Sequence, residues 1–354
     1  MYSVYQHWDP LEVCVVGKAY PPEFYTWIKD NETRKKFEQV AIETEEDFTK
    51  LIKLLESFNV DIQRPNIPNT FEDCMVDNVW VPPPVTPRDY FITIHETCWV
   101  PVIPNENHAY HAFKKQKVKT WEEFKAHDQA KHNRKLKFYN KILQNCKVKE
   151  TKCTYISGCF VSRLGNDLFF ATQTVHDDWN KIRQEVNYLF PNTNNHIVDA
   201  QGHGDAVYCP VTNGLIISIA DEDYKLSFPN WEVVHLPESH YAAHKMFQAS
   251  MKLNAGKWYI PGFDENPLIT ETVDSYMNDW IGEVSQTVFG VNILIVNPTN
   301  VVLAEYNKQA VDALKRYGID AHISPFRHKY FWDAGIHCVT NDLSRRGTCQ
   351  QYHF

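Results

Sequence analysis

The sequence predicts an α/β protein built from about five copies of one unit, a β-hairpin followed by a helix and a further strand. Three observations predict it. Hairpin signals with Gly or Asn at the turn recur along the chain. The clearest copy, near the end, runs hairpin, helix, glycine stop and strand without interruption. The composition, 43% hydrophobic and 23% charged over 354 residues, is that of a globular chain able to bury a sizeable core. Self-similar units point to a radial or solenoidal array, in which side chains from several copies converge on a central channel. Two unrelated α/β domains with similar hairpins are the alternative.

The first strand is expected at 11–17. A helix follows over 32–58, because Phe37, Val40, Ala41, Phe48, Leu51, Ile52, Leu54 and Leu55 recur at helical spacing. A strand at 60–63 is closed by Arg64-Pro65. Residues 65–87 are rich in Pro and Asn, include Pro82-Pro83-Pro84, and read as a long functional loop or lid. A strand pair is expected at 88–94 and 98–102, then a charged helix over 120–145. A hairpin at 159–163 and 167–170 turns at Gly165. A helix over 176–190 and a strand at 196–199 come next. A hairpin at 205–209 and 215–219 turns at Asn213-Gly214, and a helix over 239–252 follows. The last copy pairs 292–296 with 301–304, then runs a helix over 307–317, Gly318, and a strand at 319–324.

The net charge of −8 and the lack of a long basic tract argue against a nucleic-acid or anionic-membrane binder. The most basic stretch, 114–137, is interleaved with Glu122, Glu123 and Asp128 and reads as a solvated helix face. No apolar run approaches a membrane span. The opening residues enter a strand and lack a signal-peptide core. Nine cysteines without a CxxC pair read as free thiols in a reducing compartment, in preference to disulfides or a zinc site. A soluble cytoplasmic protein is expected.

Four clusters carry candidate chemistry. Cys338 follows Gly335-Ile336-His337 and precedes an acidic-then-basic run. A thiolate is a strong nucleophile, and a histidine or cation lowers its pKa. That histidine is expected from elsewhere, because adjacent residues rarely point at one another. His203 and Asp205 lie two apart between glycines; on a strand they share a face and make a base-and-carboxylate pair. Asp89, at the start of a strand in Pro87-Arg88-Asp89, reads either as a site carboxylate or as a local turn. Arg345-Arg346 reads as an anion site or as the ion-pair partner of Asp342.

Together these stretches resemble the glycine amidinotransferase family, which includes L-arginine:glycine and inosamine-phosphate amidinotransferases. The resemblance runs nearly end to end: Trp8-Asp9-Pro10 into Val15-Val16-Gly17, Pro87-Arg88-Asp89, His203-x-Asp205-Ala206, Asn292-Ile293-Leu294, and Gly335-Ile336-His337-Cys338 with Asp342 through Thr348. It implies a pentein fold, an α/β-propeller of five ββαβ modules about a pseudo-fivefold axis, formed by one domain over 1–354. It implies transfer of an amidino group from an arginine-like donor to a glycine-like amine through a covalent amidino-Cys338. His203 would be the general acid and then the general base. Asp205 would complete the catalytic set, and Asp89, Cys159, Glu222 and Asn292 would bind substrate. No metal or organic cofactor is implied; the partners are the guanidino donor and the amine acceptor, with no nucleic acid or membrane. Homodimers are common in the family.

Two positions depart from the family pattern. Cys159 stands where the family has an aspartate that holds the guanidinium. Glu222 stands where an arginine pairs with the donor's carboxylate. Both bear on donor recognition. Loops at 66–87 and 263–276 are expected to select the acceptor. Two rival readings remain: a guanidine-hydrolysing pentein, and a non-catalytic pentein that only binds.

Overall fold

The computed structural model describes residues 2–76, 79–103, 120–172, 178–200, 202–219, 224–236, 260, 266–276 and 290–352. Seventeen strands are named in chain order: β1 (Leu11–Val16), β2 (Asp61–Gln63), β3 (Met75–Val76), β4 (Val79–Trp80), β5 (Ile92–Ile94), β6 (Thr97–Pro101), β7 (Val148–Thr151), β8 (Val161–Leu164), β9 (Asp167–Ala171), β10 (Asn194–Val198), β11 (Tyr208–Thr212), β12 (Leu215–Ser218), β13 (Glu232–His235), β14 (Leu294–Asn297), β15 (Asn300–Leu303), β16 (Asp320–Ile323) and β17 (Thr340–Arg345). The helices are α1 (Asn31–Glu56), α2 (Trp121–Lys137), α3 (Asn140–Leu143), α4 (Trp179–Leu189), α5 (Pro267–Tyr276), α6 (Lys308–Arg316) and α7 (Lys329–Trp332).

Five three-stranded sheets have the orders β17-β1-β2, β5-β6-β7, β8-β9-β10, β11-β12-β13 and β14-β15-β16. Each joins an antiparallel pair to a third, parallel strand. A parallel partner needs a crossover, and α1, α2 with α3, α4 and α6 supply four of them. This is the expected five-module α/β pentein architecture. The first module takes its hairpin from both ends of the chain. The partner of β1 is the last strand of the chain, with Leu11 opposite Arg345 and Val16 opposite Thr340, so the two ends close the ring.

The helices start where their caps dictate. Asp30 accepts from the Thr33 backbone N–H at 2.7 Å, and α1 then buries Phe37, Val40, Ala41, Phe48, Leu51 and Leu55 on one stripe. Asn307 caps α6, and Gly318 ends it at φ 71°. Asp178 caps α4, so that helix begins at Trp179, three residues later than expected. The expected helix over 120–145 is two pieces, because Phe138 and Tyr139 turn inward and are buried.

Several expectations need correction. Residues 88–91 are not strand: Pro87–Asp89 is a 3-10 turn, and β5 begins at Ile92. Residues 66–87 are not a bare loop, since β3 and β4 pair within them and Trp80 is fully buried. Residues 267–276 form α5 instead of a loop, because Asn266 caps the helix and Pro267 opens it. The helix expected over 239–252 lies outside the described residues.

Strand β17 reads Thr-Asn-Asp-Leu-Ser-Arg, yet all six residues are buried. Three arginines make this tolerable. Arg163 Nη2 donates to both oxygens of Asp342 at 2.8 and 2.7 Å, and Arg345 Nε donates at 2.6 Å. Arg88 Nη1 lies 3.1 Å away in charge contact. Arg345 is therefore an ion-pair partner of Asp342, the second of its two readings. Burial raises the Asp342 carboxyl, but Arg163, Arg345 and Arg88 outweigh it and hold it well below the usual carboxylate range. Asp342→Asn leaves three guanidinium groups buried around a neutral amide. We expect a loss of about 3–5 kcal/mol, measured as a lower urea midpoint at neutral pH. The depressed folded pKa fixes the acid limb. The stabilisation is complete above the unfolded carboxylate pKa and is lost only as pH falls through the folded value. An unchanged midpoint would show that the arginines do not need this carboxylate.

Candidate functional site

The candidate residues occupy one structural position repeated around the ring. Asp89 ends the turn before β5, and Cys159 lies just before β8. His203 precedes the 3-10 turn Gly204–Ala206 before β11, and Asp205 lies within that turn. Asn292 precedes β14, and Cys338 precedes β17. Each of the five modules thus delivers its polar group from the segment leading into the first strand of its hairpin. These hairpin strands line the central channel. Val161 and Ser162 of β8, Cys209 of β11, Ile295 of β14 and Arg345 of β17 border about 400 Å³ of open space that also touches Cys159, Asp205 and His337.

Asn292 fixes the nucleophile candidate. Its Oδ1 accepts the backbone N–H groups of His337 at 2.8 Å and Cys338 at 3.1 Å. Two backbone donors at one amide atom assign that atom as oxygen. The amide nitrogen therefore faces Cys338 Sγ at 3.0 Å and the Asp205 carbonyl at 3.1 Å. All four hydrogen-bonding positions of Asn292 are used within the protein. It was expected to bind substrate; instead it orients Cys338. Gly335 makes this approach possible, because a Cβ there would lie 2.4 Å from Asn292 Oδ1.

Asp205 is the hub. Its Oδ2 receives His337 Nδ1 at 2.8 Å and the Cys338 thiol at 3.6 Å. Its Oδ1 is buried with no hydrogen-bond partner among the described residues. Burial pushes its carboxyl up to about 7; Arg88 opposes the rise and Asp89 adds to it. The same burial, with Asp205 and Asp89, pushes the Cys338 thiol well up. Burial, then Arg88 and His7, lowers His337 far below its ordinary value, so it stands neutral and donates Nδ1–H to Asp205.

His203 and Asp205 do not share a strand face, as their spacing suggested. They sit on a 3-10 turn, which sends His203 to the other side of the site. There its ring packs at a T-shaped angle against Phe160, the centroids 5.0 Å apart, and one of its ring nitrogens lies within 4.8 Å of the Asp89 carboxylate and Cys159 Sγ. Burial pulls His203 down to about 4. Cys159, the position at which the sequence departs from the family pattern, lies beside Asp89 and His203 in this cluster. Its thiol, paired with Ser157 Oγ at 3.0 Å, is pushed well up by burial and by Asp89 and Asp205. Gly204 admits this packing, since a Cβ there would meet Ala171 Cβ at 2.8 Å. Glu222 lies outside the described residues.

The structure therefore brings Cys338, His203, Asp205, Asp89, Cys159 and Asn292 into one cluster. His337 joins them through Asp205. Sequence reasoning set His337 aside because a neighbour cannot point at Cys338, and it does not; the two side chains meet at a third residue. Arg88 was also missed. It is fully buried, and its Nε donates to the carbonyls of His337 at 2.7 Å and Thr340 at 2.9 Å, holding the Cys338 turn from below. Its place in Pro87-Arg88-Asp89 was the available signal.

No family model matches the chain. The L-arginine:L-lysine amidinotransferase of Pseudomonas savastanoi pv. phaseolicola is 21% identical over 215 residues, 59% of this chain and 49% of that protein. The match thus spans about half the length of that relative. Among solved structures, SxtG, an amidinotransferase from Microseira wollei in the saxitoxin biosynthetic pathway, superposes with a TM-score of 0.64 at 17% identity over 99% of both chains. The inosamine-phosphate amidinotransferase StrB1 of Streptomyces griseus superposes with a TM-score of 0.62 at 16% identity, covering 100% of this chain and 99% of its own. The DDAH of Pseudomonas aeruginosa reaches 0.54 at 9% identity over 94% of this chain and 99% of its own. The chain has the pentein fold of these proteins, and its resemblance to the amidinotransferases stands.

Proposed function

We propose that the protein transfers an amidino group from a cationic guanidino donor to an amine through Cys338. One observation carries the reading. All five modules present a polar side chain from the same position, and these side chains surround one oriented thiol. A guanidinium is planar and permanently charged, and it suits a pocket with Asp89 and the buried Asp205 Oδ1 as acceptors.

The Cys338 proton passes to Asp205 Oδ2, its nearest acceptor. Sγ then bonds to the guanidino carbon, and the carbon–nitrogen bond to the donor amine breaks. That amine leaves with a proton delivered by His203. The amidino group remains on Cys338 as a cationic isothiouronium. An acceptor amine attacks the same carbon, gives its proton to His203, and the carbon–sulfur bond breaks. His203, neutral until substrate enters, suits the base role. For its acid role His203 takes up one proton from solvent as the donor reacts; the acceptor amine restores that proton in the second half, and Asp205 returns its own to the Cys338 thiolate.

The nine cysteines are free thiols, which supports a cytoplasmic setting. The thiol of Cys159 in place of a carboxylate supports the second reading, a pentein that binds without turnover. Intact-protein mass spectrometry after incubation with arginine and other guanidines separates the two. We expect a gain of one amidino group on the wild type. No adduct from any guanidine would sink the transfer reading. Release of ammonia or citrulline from arginine with no amine acceptor present would identify a hydrolase.

A further inference from the structure

Asp89, Cys159 and His203 form a second constellation inside the site. They come from three different modules, and their ligating atoms all lie within 4.8 Å of one another. Thiolate, imidazole and carboxylate are the donors that divalent zinc takes, and three protein ligands with an open fourth position are the pattern of a zinc site that admits an exogenous group. From this geometry we propose that Asp89, Cys159 and His203 bind a thiophilic divalent cation, zinc first among them. Cys338 stands outside the ligand set.

Charge favours the assignment. A neutral thiol at position 159 offers little to a guanidinium, whereas a dication takes it as thiolate. Asp89 and the Cys159 thiolate then balance the two positive charges in a buried place. The surroundings fit as well. Ser157 Oγ sits 3.0 Å from Cys159 Sγ as an outer partner, and Phe160 packs at a T-shaped angle against the His203 ring. The carboxylate that the family pattern has at this position is a harder donor; the thiol moves the preference from magnesium-like ions towards zinc. The site also has a consequence for the transfer reading, though it does not depend on it. An ion bound here occupies both His203 and Asp89, so zinc and a guanidino donor exclude one another.

The test uses the full chain, stripped of metal by a chelator and kept reduced, and titrated with cobalt(II) alone. We expect one equivalent to bind, with a thiolate-to-cobalt charge-transfer band, and zinc to displace it. The Cys338→Ala variant keeps the band and Cys159→Ser loses it. Asp89→Asn and His203→Gln each lower the zinc affinity by at least the roughly 10- to 100-fold that even outer partners of a metal contribute. Absence of binding to the wild type overturns the proposal and leaves amidino transfer untouched, because no guanidine is present. A band that survives Cys159→Ser and disappears in Cys338→Ala also overturns it, by placing the ion on the nucleophile.

Discussion

Cys338→Ala is expected to lower amidino transfer by on the order of 10⁴-fold or more, the scale on which removal of a covalent nucleophile acts. The fold should survive, because the backbone N–H of residue 338 still donates to Asn292. The thiol in the empty site is neutral, held up by burial and by Asp205 and Asp89. A positive charge placed between those carboxylates and the sulfur reverses that field and favours thiolate. The donor therefore activates its own nucleophile. A cationic haloacetamidine should alkylate Cys338 faster at neutral pH than a neutral haloacetamide of the same leaving group. Cys349, which is exposed, serves as the control: Cys349→Ser should keep both the transfer rate and the alkylation of Cys338. If Cys338→Ala retains transfer within tenfold, the covalent route is wrong, whatever the fold.

The repeat was readable because hairpins and helices obey local rules. Gly165 and Gly214 take the positive φ that their turns require, and both hairpins lie where their glycines put them. Strand β17 was not readable. A polar run with Asp342 at its centre reads as surface until Arg88 and Arg163 arrive from other modules to neutralise it. The site shows the same division. Cys338, His203, Asp205 and Asp89 were found as motif residues, but which groups touch was decided by turns. The 3-10 turn at Gly204–Ala206 separates His203 from Asp205, and puts Asp205 against Cys338 and His203 against Cys159. Asn292 looked like one more pocket residue, because a side-chain amide spent wholly on backbone and sulfur has no sequence signature. The zinc constellation was hidden for a related reason. Metal sites are recognised in sequence by short spacings such as CxxC, and a ring that contributes one ligand per module produces none.

Asp205 makes the second large effect, and its sign follows from the direction of its shift. Burial raises its folded pKa to about 7, above an unfolded value near 3.9. The folded protein therefore binds this proton more tightly than the unfolded chain. The contribution to stability is complete below the unfolded pKa and is lost as pH rises through about 7. Above that pH the ligand-free protein carries a buried carboxylate at a cost on the order of a few kcal/mol, which a bound guanidinium relieves. Donor binding should then take up no proton above about pH 7 and release one below it. In the Cys338→Ala background, where no adduct forms, the association constant for arginine should rise about tenfold per pH unit below 7 and level off above it. Asp205→Asn should flatten that profile and weaken binding at pH 8 by about 10- to 100-fold, the range of one charge-assisted hydrogen bond. The same substitution should make the ligand-free protein more stable than the wild type at pH 8, with the advantage shrinking as pH falls below 7 and gone only below about pH 4, as measured by urea unfolding. The two measurements distinguish causes. A variant that binds poorly and is also less stable at pH 8 would mean that Asp205 is a structural partner of His337 and not a strained acceptor kept for a cation. A pH slope that persists after Asp205→Asn would move the titrating group elsewhere in the pocket. If both expectations hold, a large share of donor affinity comes from relief of a charge that the ring of modules buries in advance.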